Sequence, residues 1–173
     1  MILPDFEIAR LCVEQNLLTP YDQDLVNPAS IDIRLGTTLL VEEEEHSGLR
    51  KIDIGDCTRK NPFPLGPGQF VLAESLEIFK VPNSIAGQFA LKSSLARAGF
   101  EHLLAGWIDP GFCNSVLTLE LKNAREYHNI FIWPGMRIGQ VVWHRMSCEP
   151  IVSYSETGRY NGDVKVTESK GIF

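Results

Sequence analysis

A mostly β fold, a small barrel or jelly roll with one short helix at its N-terminus, is what this sequence predicts. Three observations carry the expectation. Apolar and polar residues alternate over short runs such as residues 30–34 and 116–122. Sharp turn sequences, Gly66-Pro67-Gly68, Asp109-Pro110-Gly111 and Pro134-Gly135, separate the runs. Helical spacing of apolar residues marks residues 5–17 near the start.

The 173 residues and 44% apolar content suit one globular domain with a sizeable core. No apolar run approaches the length of a membrane span. The opening MILPDFEIARLC has neither a basic n-region nor an apolar h-region, so a cytoplasmic location is expected. Cys12, Cys57, Cys113 and Cys148 are scattered and form no C-x-x-C pair, which implies reduced thiols. His46, His102, His128 and His144 are equally dispersed, and the H-x-E and P-C-x-x-C signatures of zinc-dependent base deaminases are missing, so zinc is not expected. A net charge of -6 argues against binding nucleic acid, where affinity comes from neutralising phosphates. It leaves room for one nucleotide in a locally basic pocket.

Taken in order, Ile8, Leu11 and Cys12 sit at helical spacing behind Asp5, a candidate cap, in one amphipathic packing helix. Residues 21–28 are polar and end in Asn27-Pro28, a loop signal. Ile31 and Ile33 then alternate with Asp32 and Arg34 in a half-buried strand whose charges pair with each other or with neighbours. Residues 38–41 form another strand, and the acidic run from Glu42 to Glu45, with His46, Ser47 and Gly48, reads as a solvated hairpin tip. Gly66-Pro67-Gly68 introduces a strand over residues 69–73, Pro82-Asn83 closes the next, and residues 85–91 lead into Lys92. Residues 130–133 and 138–144 are strands around Pro134-Gly135, with Gln140 following Gly139. From Ser153 the pattern fades, dividing the chain into a β domain of residues 1–152 and a flexible tail of residues 153–173.

Polar chemistry concentrates in residues 91–122. Lys92-Ser93-Ser94-Leu95-Ala96-Arg97 offers two cations, two hydroxyls and several backbone N–H groups, the donors a phosphate chain requires. Alone, it also reads as a helical turn capped by Ser93 or Ser94 and ended by Gly99. Asp109-Pro110-Gly111 alone is an ordinary β-turn. Leu117, Leu119 and Leu121 share one strand face, leaving Val116, Thr118, Glu120 and Lys122 on the other. Glu120 therefore points away from the leucine core, alone a solvated position.

In order along the chain, KSSLAR (92–97), AGWIDPGF (105–112), TLEL (118–121) and PGMRIGQ (134–140), with NPASIDIRLG (27–36) upstream, resemble the dCTP deaminase branch of the dUTPase-like superfamily. The resemblance extends from Ile2 to about Ser169. It implies a dUTPase-like distorted jelly roll, or β-clip, assembled as a homotrimer with sites between subunits. It also implies hydrolysis of the 4-amino group of dCTP without zinc, Mg²⁺ being held through the nucleotide phosphates and not by protein side chains. Some members also cleave the product to dUMP.

Carried over by position, the resemblance makes Lys92, Ser93, Ser94, Leu95, Ala96 and Arg97 a substrate-binding segment. Ala105, Trp107 and Asp109 form a second, and Thr118, Leu119 and Glu120 a third, with Gln140 from the last strand. In the tail it places Tyr154, Arg159 and Tyr160 near the phosphates, with Asp163 where the family carries Gln. Asp32 is implied to help build the trimer site. The catalytic set is Glu120, Asp109 and Ser93.

The chemistry supports these roles. Loss of ammonia from cytosine requires a water deprotonated as it attacks C4 and a proton delivered to N3, and one carboxylate can perform both transfers. Glu120 is that carboxylate, provided partial burial raises its pKa. Ser93 or Ser94 and the backbone of Ala105 hold the water, and Lys92, Arg97 and Mg²⁺ neutralise phosphate charge. Asp109 holds the sugar 3′-hydroxyl or, in a bifunctional enzyme, helps activate a second water.

Four departures from the family pattern matter. Asn114 replaces a glycine, and Asn is the non-glycine residue most tolerant of left-handed backbone. Asp163 sets a carboxylate beside the phosphates, which is unfavourable unless a metal ion or Arg159 lies between them. His102-Leu103-Leu104 replaces a more hydroxylated stretch. Trp107 stands where strictly deaminating members carry Arg; with one N–H donor it is not expected to pin Asp109, which is then free to orient a water toward the α-phosphorus. Release of dUMP is accordingly the leading expectation. Release of dUTP alone, a dUTPase and a non-catalytic trimeric nucleotide-binding β module are the alternatives. Glu120 and the lack of a Gly-rich C-terminal phosphate motif count against the dUTPase.

Overall fold

The computed structural model describes residues 1–44 and 48–171. The hairpin tip expected around Glu45, His46 and Ser47 lies outside the described residues. Helix α1 (Asp5–Gln15) is followed by strands β1 (Leu18–Thr19), β2 (Val26–Asn27), β3 (Ser30–Glu42), β4 (Leu49–Asp53), β5 (Phe63–Leu65), β6 (Phe70–Lys80) and β7 (Ile85–Leu91). Helix α2 (Ser93–Arg97) leads to β8 (Phe100–Glu101), β9 (Trp107–Ile108), β10 (Cys113–Asn123), β11 (Ile130–Ile132), β12 (Arg137–Arg145) and a final helical turn, α3 (Tyr154–Thr157).

The expected mostly β architecture is observed. Strands β8, β10, β6, β3, β12, β7 and β9 are neighbours in that order, with β1 on β6 and both β2 and β4 on β3, while β11 pairs separately with β5. The sheet curls around a core in which Phe79 and Trp143, both fully buried, hold their ring centroids 6.3 Å apart. Helix α1 buries Ile8, Leu11 and Cys12, as its spacing predicts. Its start differs from expectation: Pro4 is the N-cap, and Asp5, already helical, accepts only the N–H of Phe6, at 2.8 Å. Among the described residues, no helix is long and apolar enough to cross a membrane.

Strand β3 corrects two expectations. Residues 30–34 and 38–41 belong to one strand that bends without ending. Leu35 pairs with Ser75 and Leu39 with Ala73, so residues 36–38 bulge opposite Glu74 alone. Gly36 permits this, because a Cβ there would lie 2.5 Å from Glu74 Cγ. The strand is also buried on both faces instead of one. Asp32, 1% exposed, accepts Lys92 Nζ at 2.6 Å and Asn27 Nδ2 at 2.8 Å, with Arg137 at 3.5 Å. Arg34 Nε reaches Glu77 at 2.7 Å, and the other Glu77 oxygen accepts Arg34's own backbone N–H at 2.9 Å. The charges thus pair with neighbours and not with each other, and ion pairing buries a face that alternation alone assigns to solvent.

Two further local features bear on the site. Helix α2 starts from Lys92 with no side-chain cap, so Ser93 and Ser94 lie within the helix and are exposed, contrary to the capping expectation. Asn114 has φ 53, the left-handed conformation for which it was expected to substitute. Asn114→Gly should therefore leave stability unchanged or slightly raised, whereas Asn114→Ala should lose about 1 kcal/mol in chemical denaturation. Equal stability of the two variants would remove backbone conformation as the reason for Asn114.

Candidate functional site

Strand β10 is the spine of the site. Leu119 and Leu121 are buried in the core, while Thr118 and Glu120 face the opposite side, half-buried. Across the ladder Glu120 stands opposite Leu72 and Thr118 opposite Glu74. Between the Val116–Ile78 and Thr118–Glu74 pairs β6 bulges, and the N–H of Leu117 bonds Ser75 Oγ at 2.8 Å.

A cavity of about 600 Å³ lies over this face. Its walls include Ala105, Trp107, Thr118, Glu120, Tyr160 and Asp163, with Phe70, Leu72 and Val116 as apolar surface. The volume suits a small-molecule ligand, and an apolar cleft with a few placed polar groups is the usual form of such a site. Burial pushes the Glu120 carboxyl above the usual glutamate range, opposed only by a backbone hydrogen bond, and no cation contributes. Glu120 is therefore a carboxylate of enhanced basicity facing an open cavity.

The loop before β9 brings Ala105 to the cavity by unusual means. Leu103 and Leu104 have φ 54 and 61, and the Glu101 carboxylate accepts the N–H groups of His102 at 2.9 Å and Leu103 at 3.1 Å. Gly106 then passes against β7: a Cβ would lie 2.5 Å from the Phe89 carbonyl oxygen, while the Phe89 N–H donates to Gly106 O at 2.7 Å. The Asp109-Pro110-Gly111 turn forms as expected, closed by Phe112 N–H to Asp109 O at 3.2 Å with Gly111 at φ 89. The expectation that Trp107 leaves Asp109 unheld is corrected. Trp107 Nε1 donates to Asp109 Oδ1 at 3.1 Å. Residues two apart on an extended segment share a face, so a single N–H suffices.

The tail folds back along β10. Ser153 and Glu156 make a capping box for α3, and Tyr154 packs edge-on against Phe112 at 5.9 Å between ring centroids. Burial pushes the Tyr154 phenol up, and the nearby Asp109 charge adds to it. The Asp163 carbonyl accepts the Val116 N–H at 2.8 Å, and its carboxylate accepts Thr167 Oγ1 at 3.0 Å and Lys170 Nζ at 2.8 Å. The cation beside Asp163 is thus Lys170. Arg159 instead donates to the Gly171 carbonyl at 2.8 Å. Lys170 and the cavity-lining Thr167, Glu168 and Ser169 were not foreseen, since the tail has no periodicity to place them.

The remaining expected residues gather elsewhere. Lys92 is engaged by Asp32, and Gln140, paired with Asp32 in the ladder, accepts Ser30 Oγ at 2.7 Å. Ser93, Ser94, Ala96 and Arg97 are exposed and Leu95 is half-buried, and, among the described residues, none of residues 92–97 lines the Glu120 cavity. Leu119, 1% exposed, offers only its backbone. Within one chain, the basic carboxylate of Glu120 and the hydroxyls and cations of residues 92–97 therefore lie apart. No three His, Cys, Asp or Glu side chains converge as a metal-ligand set among the described residues.

A solved structure shares this curled antiparallel fold. The 2'-deoxycytidine 5'-triphosphate deaminase from Agrobacterium tumefaciens superimposes with a TM-score of 0.68 at 21% identity, over 84% of this chain and 48% of that one. The family model for dCTP deaminase-like proteins matches residues 2–146, and the chain belongs to that family. Among its relatives, "dCTP deaminase, dUMP-forming" of Mycobacterium leprae is 36% identical over 98% of this chain and 95% of the relative. The protein of the same name from Corynebacterium efficiens is 37% identical over 99% and 94%.

Proposed function

We propose that this chain deaminates dCTP at C4, releasing ammonia, and carries the product on to dUMP and diphosphate in the cytoplasm. The observation that carries this reading is Glu120: a half-buried carboxylate of raised basicity, without a cation partner, in a cavity of nucleotide size. Such a group takes a proton from water as it attacks C4 and returns it to the base. The names of the relatives support the dUMP-forming step.

The separation of Glu120 from residues 92–97 supports a homotrimer in which one subunit's Ser93, Ser94 and Arg97 complete the Glu120 cavity of another. In that arrangement Ser93 and the Ala105 backbone hold the attacking water, while Lys92, Arg97 and the N–H groups around Leu95 and Ala96 bind phosphate. Gln140, opposite Asp32 in the ladder and holding Ser30 Oγ, joins this substrate-binding set from the last strand. Tyr154, Arg159, Tyr160 and Asp163 belong to the segment that covers the nucleotide. Residues 153–173 act as that tail on a domain of residues 1–152. Mg²⁺ carried on the nucleotide phosphates would supply charge neutralisation for cleavage at the α-phosphorus.

Arg97→Ala should raise the KM for dCTP by roughly 10- to 100-fold, the worth of charge-assisted hydrogen bonds to phosphate, with a smaller effect on deoxycytidine. Equal loss for both ligands would make Arg97 structural. The shared site has its own test. Mixed trimers of Arg97→Ala and Glu120→Gln chains, assayed at dCTP below KM, should recover activity that neither variant shows alone. Activity no greater than the sum of the separate variants would place each site within one chain.

A further inference from the structure

Glu74 shares the cavity face of the sheet with Glu120, yet the proposed reaction gives it no task. It stands opposite Thr118 on β10, one step along that face from Leu72, which stands opposite Glu120. It is 2% exposed. A buried carboxylate persists only where its oxygens are partnered, and those of Glu74 are partnered from two directions. From the sheet, the Thr38 N–H in the bulge of β3 donates to Oε1 at 3.2 Å, and Gly36 leaves space for the stem. From the tail, Lys165 Nζ donates to Oε1 at 3.0 Å and the Val166 N–H to Oε2 at 3.0 Å.

Val166 reinforces this attachment. It is 6% exposed and completes a small apolar cluster with Leu40 and Leu72, flanked by Leu49 and Phe70. Leu49, Phe70 and Leu72 also line the cavity, and the residues after Val166, Thr167, Glu168 and Ser169, form another of its walls. The fastening point and the cavity wall are thus consecutive in the chain.

We propose that Glu74 is a positioning residue for the tail: it fastens residues 165–166 to the sheet and so sets residues 167–169 as a wall of the nucleotide site before nucleotide arrives. The role in turnover rests on the nucleotide reading of the cavity. Ordering the wall in advance lowers the entropy lost on binding. Glu74 is apart from the reacting atoms, so its loss should appear in KM and leave kcat in place.

Two variants test this, Glu74→Gln in the sheet and Lys165→Met on the tail; the second side chain is half exposed and its loss does not disturb the sheet. In the nucleotide-free protein, amide hydrogen exchange at residues 164–168 should accelerate by about tenfold or more in both variants, with residues 39–41 and 119–121 still protected. The KM for dCTP should rise about tenfold, with kcat within about twofold of the unmodified protein. Unchanged exchange at the tail in both variants would overturn the proposal. So would faster tail exchange with an unmoved KM, or faster exchange in the strands of the Lys165→Met protein. If the unmodified protein releases no ammonia from dCTP, the substrate reading fails, and the exchange data alone decide whether Glu74 fastens the tail.

Discussion

Glu120→Gln should lower dCTP turnover by about two to four orders of magnitude while nucleotide binding persists. Gln keeps the size and most hydrogen bonds of Glu but accepts no proton, so the loss isolates proton transfer. The carboxyl is pushed above the usual glutamate range by burial, so the acidic limb of the kcat profile should lie above that of an ordinary glutamate and disappear in the variant. The stability effect has a definite sign. With its folded pKa raised, the carboxyl binds protons more tightly in the folded state, and stability falls as pH rises through that range. Glu120→Gln should therefore raise Tm at pH 7 to 8 relative to the unmodified protein, with the gain fading toward pH 4. Near wild-type turnover in this variant would remove Glu120 from the chemistry.

The second large effect separates the two reactions. Asp109→Asn should leave ammonia release within a few-fold of wild type while dUMP formation falls by about two orders of magnitude, so that dUTP accumulates. Asp109 sits on an exposed turn next to the cavity wall, and the Trp107 N–H holds one of its oxygens. That hydrogen bond survives in the variant, because an amide oxygen also accepts it. What is lost is the negative charge and basicity of the other oxygen, which is proposed to orient water toward phosphorus. Parallel loss of ammonia and dUMP would show instead that Asp109 serves nucleotide binding in general.

Much of the fold was legible because its signals are local. Helix α1, strand β7, the Pro134-Gly135 turn and the facing of Glu120 each follow from spacing, while the left-handed Asn114 follows from the family resemblance, which has glycine there, and from the tolerance of Asn for that backbone. The misreadings share a different cause. The bend in β3 depends on Glu74, distant in sequence, filling the space above Gly36. The burial of Asp32 depends on Lys92 and Arg137. Neither partnership has a periodic signature. At the site, Glu120, Trp107, Thr118 and Ala105 do converge, whereas the cation beside Asp163 comes from Lys170 in the unpatterned tail. The expectation for Asp109 reached dUMP release through an indole thought unable to hold it. The indole does hold it, and the dUMP-forming reading now rests on the relatives.

Incubating the protein with dCTP and Mg²⁺, and quantifying ammonia alongside the nucleotides separated by ion exchange, tests the central claim most directly. Ammonia and dUMP appearing together in equal amounts, with diphosphate, is the predicted result; unchanged dCTP with no ammonia would contradict it.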